Sequence, residues 1–466
     1  MTSPSSAPGP DRPLFPNARR VRREDPAADS FRRAASRLIE HLVLMYAVLV
    51  LCGIATFGQP EDLTGSASSN ALNTYSNALF LGLFGLLTVI NFRKTADFLP
   101  SSHVLIAFLA LAAFSIMWSV DPALTIRRVG SLGTTLLISV YLTWRFDFAK
   151  ALSIVGHGLL LVVVLSILTV IFLPSIGITQ YANNNDELVG TWKGVTSAKN
   201  SLGWVCIAGL QIYAWRFMVE PGKRLRHGVA LALFLFVAAE TRSATALIGI
   251  VLSIFILGML SLRRWQSPKR IALEWVVLGS VGLAVFAISL APGDVLGLLG
   301  KNTDLTGRVP LWTTLVDSIR QRPLLGYGYG AFWQNGNPEM MRVWSLNPWQ
   351  PPNAHNGYFD VMLDLGVAGL VLAITLLLGS AKRALFWCKQ PDASWAIYVG
   401  CMVIVFIVTC LDETVFLRGG DLFCLLVSFC YFTLIRAKQR RLATAEPAGE
   451  PGRPALSRPA SQPFRL

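Results

Sequence analysis

The stretch ALSIVGHGLLLVVVLSILTVIFL, residues 151–173, decides the fold class. It contains no Asp, Glu, Lys or Arg. As a helix rising 1.5 Å per residue it would be about 34 Å long, enough to cross a hydrocarbon core of roughly 30 Å. Inside that core every backbone N–H and C=O must be satisfied within the protein, so such a run reads as a spanning helix. The alternating short strands of an outer-membrane barrel are absent from the sequence. Working outward, similar runs lie near 38–57, 75–91, 103–119, 128–144, 200–219, 227–240, 243–262, 271–291, 357–380, 394–411 and 415–435. The expectation is an all-α polytopic membrane protein with about 12 transmembrane helices. Composition agrees: 53% hydrophobic residues against 15% charged is too apolar for a soluble globular chain.

Charge placement orients the spans. The formal net charge of +14 could suggest nucleic acid. The basic residues instead crowd the two tails and every second loop, which is the positive-inside pattern, so no nucleic-acid partner is expected. Arg93 and Lys94, Arg145 and Lys150, Lys223 to Arg226, Arg263 to Arg270, and Lys382 to Lys389 fall on one side, and loop 58–74 on the other has no Lys or Arg. Both termini are then cytoplasmic. Residues 1–37 and 436–466 read as disordered basic tails. Residues 38–291 hold helices one to nine, 292–356 form a long outer loop, and 357–435 hold the last three helices. The segment from Val309 to Ser318 has the character of a short helix within that loop. The seven cysteines show no CxxC or Cys/His spacing, so neither disulfide nor metal site is expected.

The chemistry is expected in the outer loops. Arg127 and Arg128 follow Trp118-Ser119-Val120-Asp121-Pro122, Lys193 lies in Trp192-Lys193-Gly194, and Lys199 precedes Asn200. Arg242 sits in the turn Thr241-Arg242-Ser243, Arg308 opens Gly307-Arg308…Trp312, and Arg418 follows Asp412-Glu413. Any one outer Arg is most simply a headgroup contact. Together, five outer loops supply cations at helix ends, and their convergence implies an anionic ligand such as a diphosphate, which Arg forks suit. Trp312 and its neighbours would stack on sugars or line an isoprenoid groove. His355, before a helix starting near Gly357, is the candidate proton acceptor, against the plainer reading of a helix cap or a carbonyl contact. Glu240 and Glu413 are rival bases.

These motifs, with Pro323-Leu324-Leu325-Gly326-Tyr327-Gly328 and His355-Asn356-Gly357-Tyr358, occur in an order that resembles the O-antigen ligase and Wzy-type polymerase superfamily over roughly 115–375. Gly190–Gly203 and Thr306–Trp333 look most similar to exopolysaccharide polymerases. The resemblance implies a GT-C-like glycosyltransferase of the bacterial inner membrane with a periplasmic site and no metal or other cofactor. Its donor would be an undecaprenyl-diphosphate-linked glycan and its acceptor a glycan hydroxyl. The implied partners are membrane lipids, a flippase and a chain-length regulator. It further implies that Lys193 and Arg242 hold the diphosphate and that His355 serves the acceptor. The reading of the outer loops adds Lys199, Arg308, Arg127 and Arg128 as further diphosphate contacts, and Asn356 and Trp312 as substrate contacts. Ala198 departs from the His found before Lys-Asn in many polymerases. A ligase acting on lipid A-core is the alternative. A solute or lipid-linked glycan transporter is the non-enzyme alternative; it would use charges within spans, where this chain has mainly Glu274 and Asp364. Asp360 and Asp364 share a helix face with Asn356 and could instead position His355.

Overall fold

In the computed structural model the described residues are 26–54, 57, 71–180, 189–262, 308–347, 350–414 and 418–445. The expected ninth span at 271–291, Glu274, Trp349, loop 58–70 and the outermost tails lie outside them. Among the described residues the regular structure is helical, apart from one antiparallel bridge between Ile178 and Trp192.

The helices in chain order are α1 (Pro26–Leu51), α2 (Ala71–Ile90), α3 (Phe92–Ala96), α4 (His103–Phe114), α5 (Pro122–Arg145), α6 (Phe148–Phe172), α7 (Pro174–Gly177), α8 (Lys199–Val219), α9 (Arg224–Glu240), α10 (Ala244–Leu262), α11 (Arg308–Gln321), α12 (Pro338–Leu346), α13 (Gly357–Trp387), α14 (Ser394–Thr409) and α15 (Leu422–Ala445). Seven are long and apolar enough to cross a membrane, and Phe92–Ser101 with His103–Met117 form an eighth candidate bent by 95°. The charge-free run 151–173 forms most of α6.

Three boundaries differ from the apolar runs. Helix α1 begins at Pro26 and α15 continues to Ala445, past the hydrocarbon-length stretches and into segments expected to be disordered. Arg, Lys and Ala are good helix formers, so a membrane helix readily extends beyond the bilayer. Arg436 also donates to the Thr143 and Phe146 carbonyls at the end of α5, and Arg441 lies over the Phe386 ring, which ties this extension down. Helix α5 starts at Pro122, earlier than the apolar run at 128. Asp121 accepts the Leu124 N–H at 2.9 Å, and Pro122 fills the first turn, where its missing N–H costs nothing. Arg127 and Arg128 therefore lie on the helix, not in a loop.

Helix α8 is the centre of the bundle. It packs on α6, α9, α10 and α14, and most of its residues are buried, Leu202 to Tyr213 without interruption, which is why that stretch lacks a polar face. Gly209 admits the Phe234 ring of α9: a Cβ there would lie 2.2 Å from it. Around this centre, α5 packs on α2 and α15, and α13 packs on α4 and α14.

Helix α13 is broken. Gly366 has φ +63°, and the segment Pro323–Gly328 docks backbone to backbone at the break. Tyr327 and Gly328 donate to the Leu363 and Asp364 carbonyls at 2.7 and 3.0 Å. Val367 and Ala368 donate to the Pro323 and Leu324 carbonyls at 2.8 and 3.3 Å. Four backbone groups beside the break, the Leu363 and Asp364 carbonyls and the Val367 and Ala368 N–H groups, are thus satisfied by one loop, as a membrane protein requires.

The described part of the long loop carries a small core of its own. The helix expected from Val309 is α11, and Leu311, Leu315 and Ile319 recur on one face of it. They pack with Tyr327, Phe332, Met340, Val343, Ala354 and Leu363. This core seats the loop on the start of α13.

Candidate active site

The site is built where helix ends meet. Asn356 caps α13: its side-chain oxygen accepts the Tyr358 and Phe359 N–H groups at 3.0 and 3.2 Å. Its amide donates to the Leu411 carbonyl at 3.1 Å, and Gly357 N–H donates to Cys410 O at 2.8 Å. The α14–α15 connection is therefore clasped to the start of α13, bringing Asp412 and Glu413 beside His355. The side chain of Asn356, expected to contact substrate, is occupied in this framework. The cap is Asn356 and not His355, which removes the helix-cap reading of the histidine.

His355 Nδ1 lies 3.8 Å from Glu413 Oε2. Glu413, 9% exposed at its side chain, also lies 3.6 Å from Arg308 Nη2 and accepts Asn200 Nδ2 at 2.7 Å. Arg308 is paired with Asp412, which also accepts the Thr245 hydroxyl at 2.6 Å. Asn200 accepts Ser243 Oγ at 2.9 Å. One polar network therefore joins α8 at Lys199-Asn200, the turn around Arg242, α11 at Arg308, His355, and the Asp412-Glu413 connection.

Two backbone observations single out the same place. Among the described residues the non-glycine residues with positive φ are Arg242, at +49°, and His355, at +46°. A left-handed backbone at such residues costs on the order of 1–3 kcal/mol and persists where surrounding contacts enforce it, commonly at functional sites. At Arg242 the turn is held by its N–H to Ala239 O at 3.0 Å and by Thr241 Oγ1, which accepts Ser243 N–H. The Arg242 side chain projects outward, exposed.

Lys193 is placed by the loop before α8. Its N–H and that of Gly194 both donate to Gly177 O, at 3.0 and 2.9 Å. Gly194 has φ +58° and presses on Ser166, so that a Cβ would lie 2.3 Å from that side chain; glycine is required after Lys193. Trp192 N–H donates to Glu240 O at 3.3 Å, setting Lys193 and Glu240 on neighbouring stretches of chain.

Trp312, expected to face a ligand, is turned into the loop unit. Its indole donates to Ala354 O at 2.9 Å, and its ring stacks on Phe359 at 6.0 Å. Arg127 and Arg128 stand apart from the His355 network: Arg127 is exposed, while Arg128 lies under Gly330 and within electrostatic reach of Arg418 and Asp364. Sequence reasoning missed Asn200, Ser243, Thr245 and Asp412 as members of the network. The polar pairs Lys199-Asn200 and Asp412-Glu413 at helix ends were the available signal.

Elsewhere in the loop unit, burial would raise the Glu339 carboxyl. Hydrogen bonds from Arg342, Ser318 and Gln321 outweigh that and hold it below the usual range. Burial, with Glu339 nearby, pushes the Tyr327 hydroxyl up to about 12; it remains a neutral donor to Ser318 O. Among the described residues no group of three or more His, Cys, Asp or Glu is arranged to hold a metal.

Residues 227–374, which include Arg242, Arg308 and His355, match the family described as O-antigen ligase. The chain is similar to the exopolysaccharide production protein ExoQ of Rhizobium meliloti, 25% identical over 396 residues that cover 81% of this chain and 84% of that protein. It is also similar to a candidate polysaccharide ligase of Rickettsia felis, 27% identical over 183 residues, 37% of this chain and 44% of that protein. With the ordered motifs of the central segment and the apolar helices, these similarities mark the chain as a multi-pass membrane protein whose central segment resembles the family described as O-antigen ligase.

Proposed function

We propose that the protein is an inverting glycosyltransferase of the bacterial inner membrane. It would polymerise undecaprenyl-diphosphate-linked oligosaccharides at the periplasmic face. The observation that carries this reading is the cluster of His355, Glu413 and Arg308 at one junction of helix ends. His355 takes the proton of an acceptor sugar hydroxyl. The oxygen attacks the anomeric carbon of the donor, and the bond from that carbon to the diphosphate oxygen breaks. The electron pair leaves with undecaprenyl diphosphate, whose charge is met by Arg242, Lys193 and Arg308, with Lys199 at the start of α8. Fixed cations aimed at a developing charge need no reorganisation during the reaction. Glu413, whose Oε2 lies 3.8 Å from Nδ1, is a carboxylate placed to steady the imidazolium that forms.

Polymerase is preferred over ligase because the relative matched through most of both chains is named for exopolysaccharide production, whereas the similarity to the Rickettsia protein named a ligase covers under half of each. The ligase reading draws on the description of the matched family. A transporter would share the break at Gly366 beside Asp364, but here the freed backbone groups are taken up by Pro323–Gly328 and not left to coordinate a solute.

Purified protein in nanodiscs tests the chemistry. His355→Ala and His355→Gln should each lose about 10²–10⁴ in turnover while still binding the lipid-linked donor. Wild-type turnover by His355→Gln would remove His355 as the base. A deletion strain separates the two products: loss of secreted polysaccharide with intact lipopolysaccharide supports polymerase, and the reverse supports ligase.

A further inference from the structure

Asp360 is a buried carboxylate, 7% exposed, one turn into α13. Its Oδ1 accepts two N–H groups: the Trp333 indole at 2.7 Å and the Ala354 backbone at 3.2 Å. Ala354 immediately precedes His355. The other side of the same residue is held as well, since Trp312 donates to the Ala354 carbonyl at 2.9 Å. Ala354 itself is fully buried. The next N–H, that of His355, donates to Asn353 Oδ1 at 2.9 Å, and Thr414 Oγ1 donates to the same oxygen at 3.2 Å. A residue held at φ +46° needs such contacts on both sides, because the left-handed backbone relaxes once they are lost.

Asp364, four residues on, shares this helix face but lies at the Gly366 break, where its carbonyl accepts Gly328 N–H at 3.0 Å. The two acids are not equivalent.

We propose that Asp360 is a positioning residue: by accepting the Ala354 and Trp333 N–H groups together, it locks the His355 backbone in its left-handed conformation and couples that conformation to the seating of the aromatic loop unit on α13. This rests on the reading of His355 as the base. The role follows from placement. Asp360 is buried beneath the loop, and both N–H groups that it accepts belong to the segment that must sit correctly before His355 can reach an acceptor.

The test compares Asp360→Ala, Asp360→Asn and Trp333→Phe with His355→Ala, as purified full-length proteins in nanodiscs. Turnover, donor KM, donor binding and thermal unfolding are measured for each. Displacing a catalytic group by about 1 Å costs on the order of 10²-fold in rate, so Asp360→Ala should lose about that factor in kcat with donor binding unchanged. Asp360→Asn should recover most of the rate, since an amide oxygen accepts the same two N–H groups. Trp333→Phe should fall between wild type and Asp360→Ala. Wild-type kcat in folded Asp360→Ala overturns the inference. So does an Asp360→Asn protein as slow as Asp360→Ala, which would make the charge and not the hydrogen bonds decisive. Equal loss of kcat, donor binding and thermal stability in Asp360→Ala would show a merely structural role and overturns it too. If His355→Ala is itself active, the parent reading fails, whatever the Asp360 variants do.

Discussion

Asn200 and Glu413, 213 residues apart in the chain, meet in a 2.7 Å hydrogen bond that joins the start of α8 to the connection before α15. Because Asn200 also accepts Ser243 Oγ, it stands between the carboxylate beside His355 and the turn that carries Arg242. Asn200→Ala should leave a buried carboxylate short of a donor, a cost of about 1–3 kcal/mol. Felt in the transition state, that is roughly a five- to 150-fold loss of turnover. Asn200→Asp should be worse, because it sets a second carboxylate against Glu413. Turnover assays of both variants check this, and an Asn200→Asp enzyme as fast as wild type would exclude a role for this bond.

The cations provide a second prediction. Arg242→Ala and Lys193→Ala should abolish product while leaving the protein folded and inserted. Arg242 is exposed and makes no ion pair with the described residues, so its removal leaves no buried charge behind. Lys193→Arg should keep much of the activity, since the charge survives. Normal polymer yield from Arg242→Ala would exclude diphosphate binding by this residue.

Gly366 should tolerate no side chain. A Cβ there would lie 2.3 Å from the Leu324 backbone carbon, and φ +63° with ψ −162° is a region essentially kept to glycine, costing on the order of 1–3 kcal/mol for an L residue. Gly366→Ala should lower the unfolding temperature and free the loop, seen as faster proteolysis between 323 and 337. An unchanged unfolding temperature would mean that the loop docks elsewhere.

The acid sensitivity of α12 has a definite sign. The Glu339 carboxyl is held below its usual value of 4.5, so its contribution is complete above that value and fades as the pH falls toward the folded-state value. Glu339→Gln should therefore unfold at a lower temperature than wild type at pH 7, with the gap closing toward pH 3. A gap that widens in acid would contradict the assignment.

Topology can be read directly. Reporter fusions after residues 185 and 340 should report a periplasmic location, and those after 222 and 385 a cytoplasmic one. A cytoplasmic result at 340 would put Arg308 and His355 on the wrong side for the proposed chemistry.

Local signals in the sequence carried the helices well. The charge-free run 151–173 became α6, and Leu311, Leu315 and Ile319 gave α11 its buried face. The start of α5 is also written locally, in the Asp121 cap and Pro122, six residues before the apolar run at 128. What was not legible depends on distant partners. Nothing near Gly366 announces a break, because the groups that satisfy it come from Pro323–Gly328. Trp312 read as a ligand platform because no local rule shows that Ala354 O needs its indole. His355 and Arg242 stood out as residue types, but their strained backbones became visible only in three dimensions.

The break in α13 also constrains biogenesis. A spanning helix with four unsatisfied backbone groups would insert poorly on its own, at several kcal/mol per exposed group in hydrocarbon. The segment that covers them, Pro323–Gly328, lies N-terminal to the helix and is synthesised first. The ribosome therefore delivers the cover before the gap. Late arrival of that segment, as in a circularly permuted chain opened between 337 and 356, should stall maturation even though every residue of the finished protein is present.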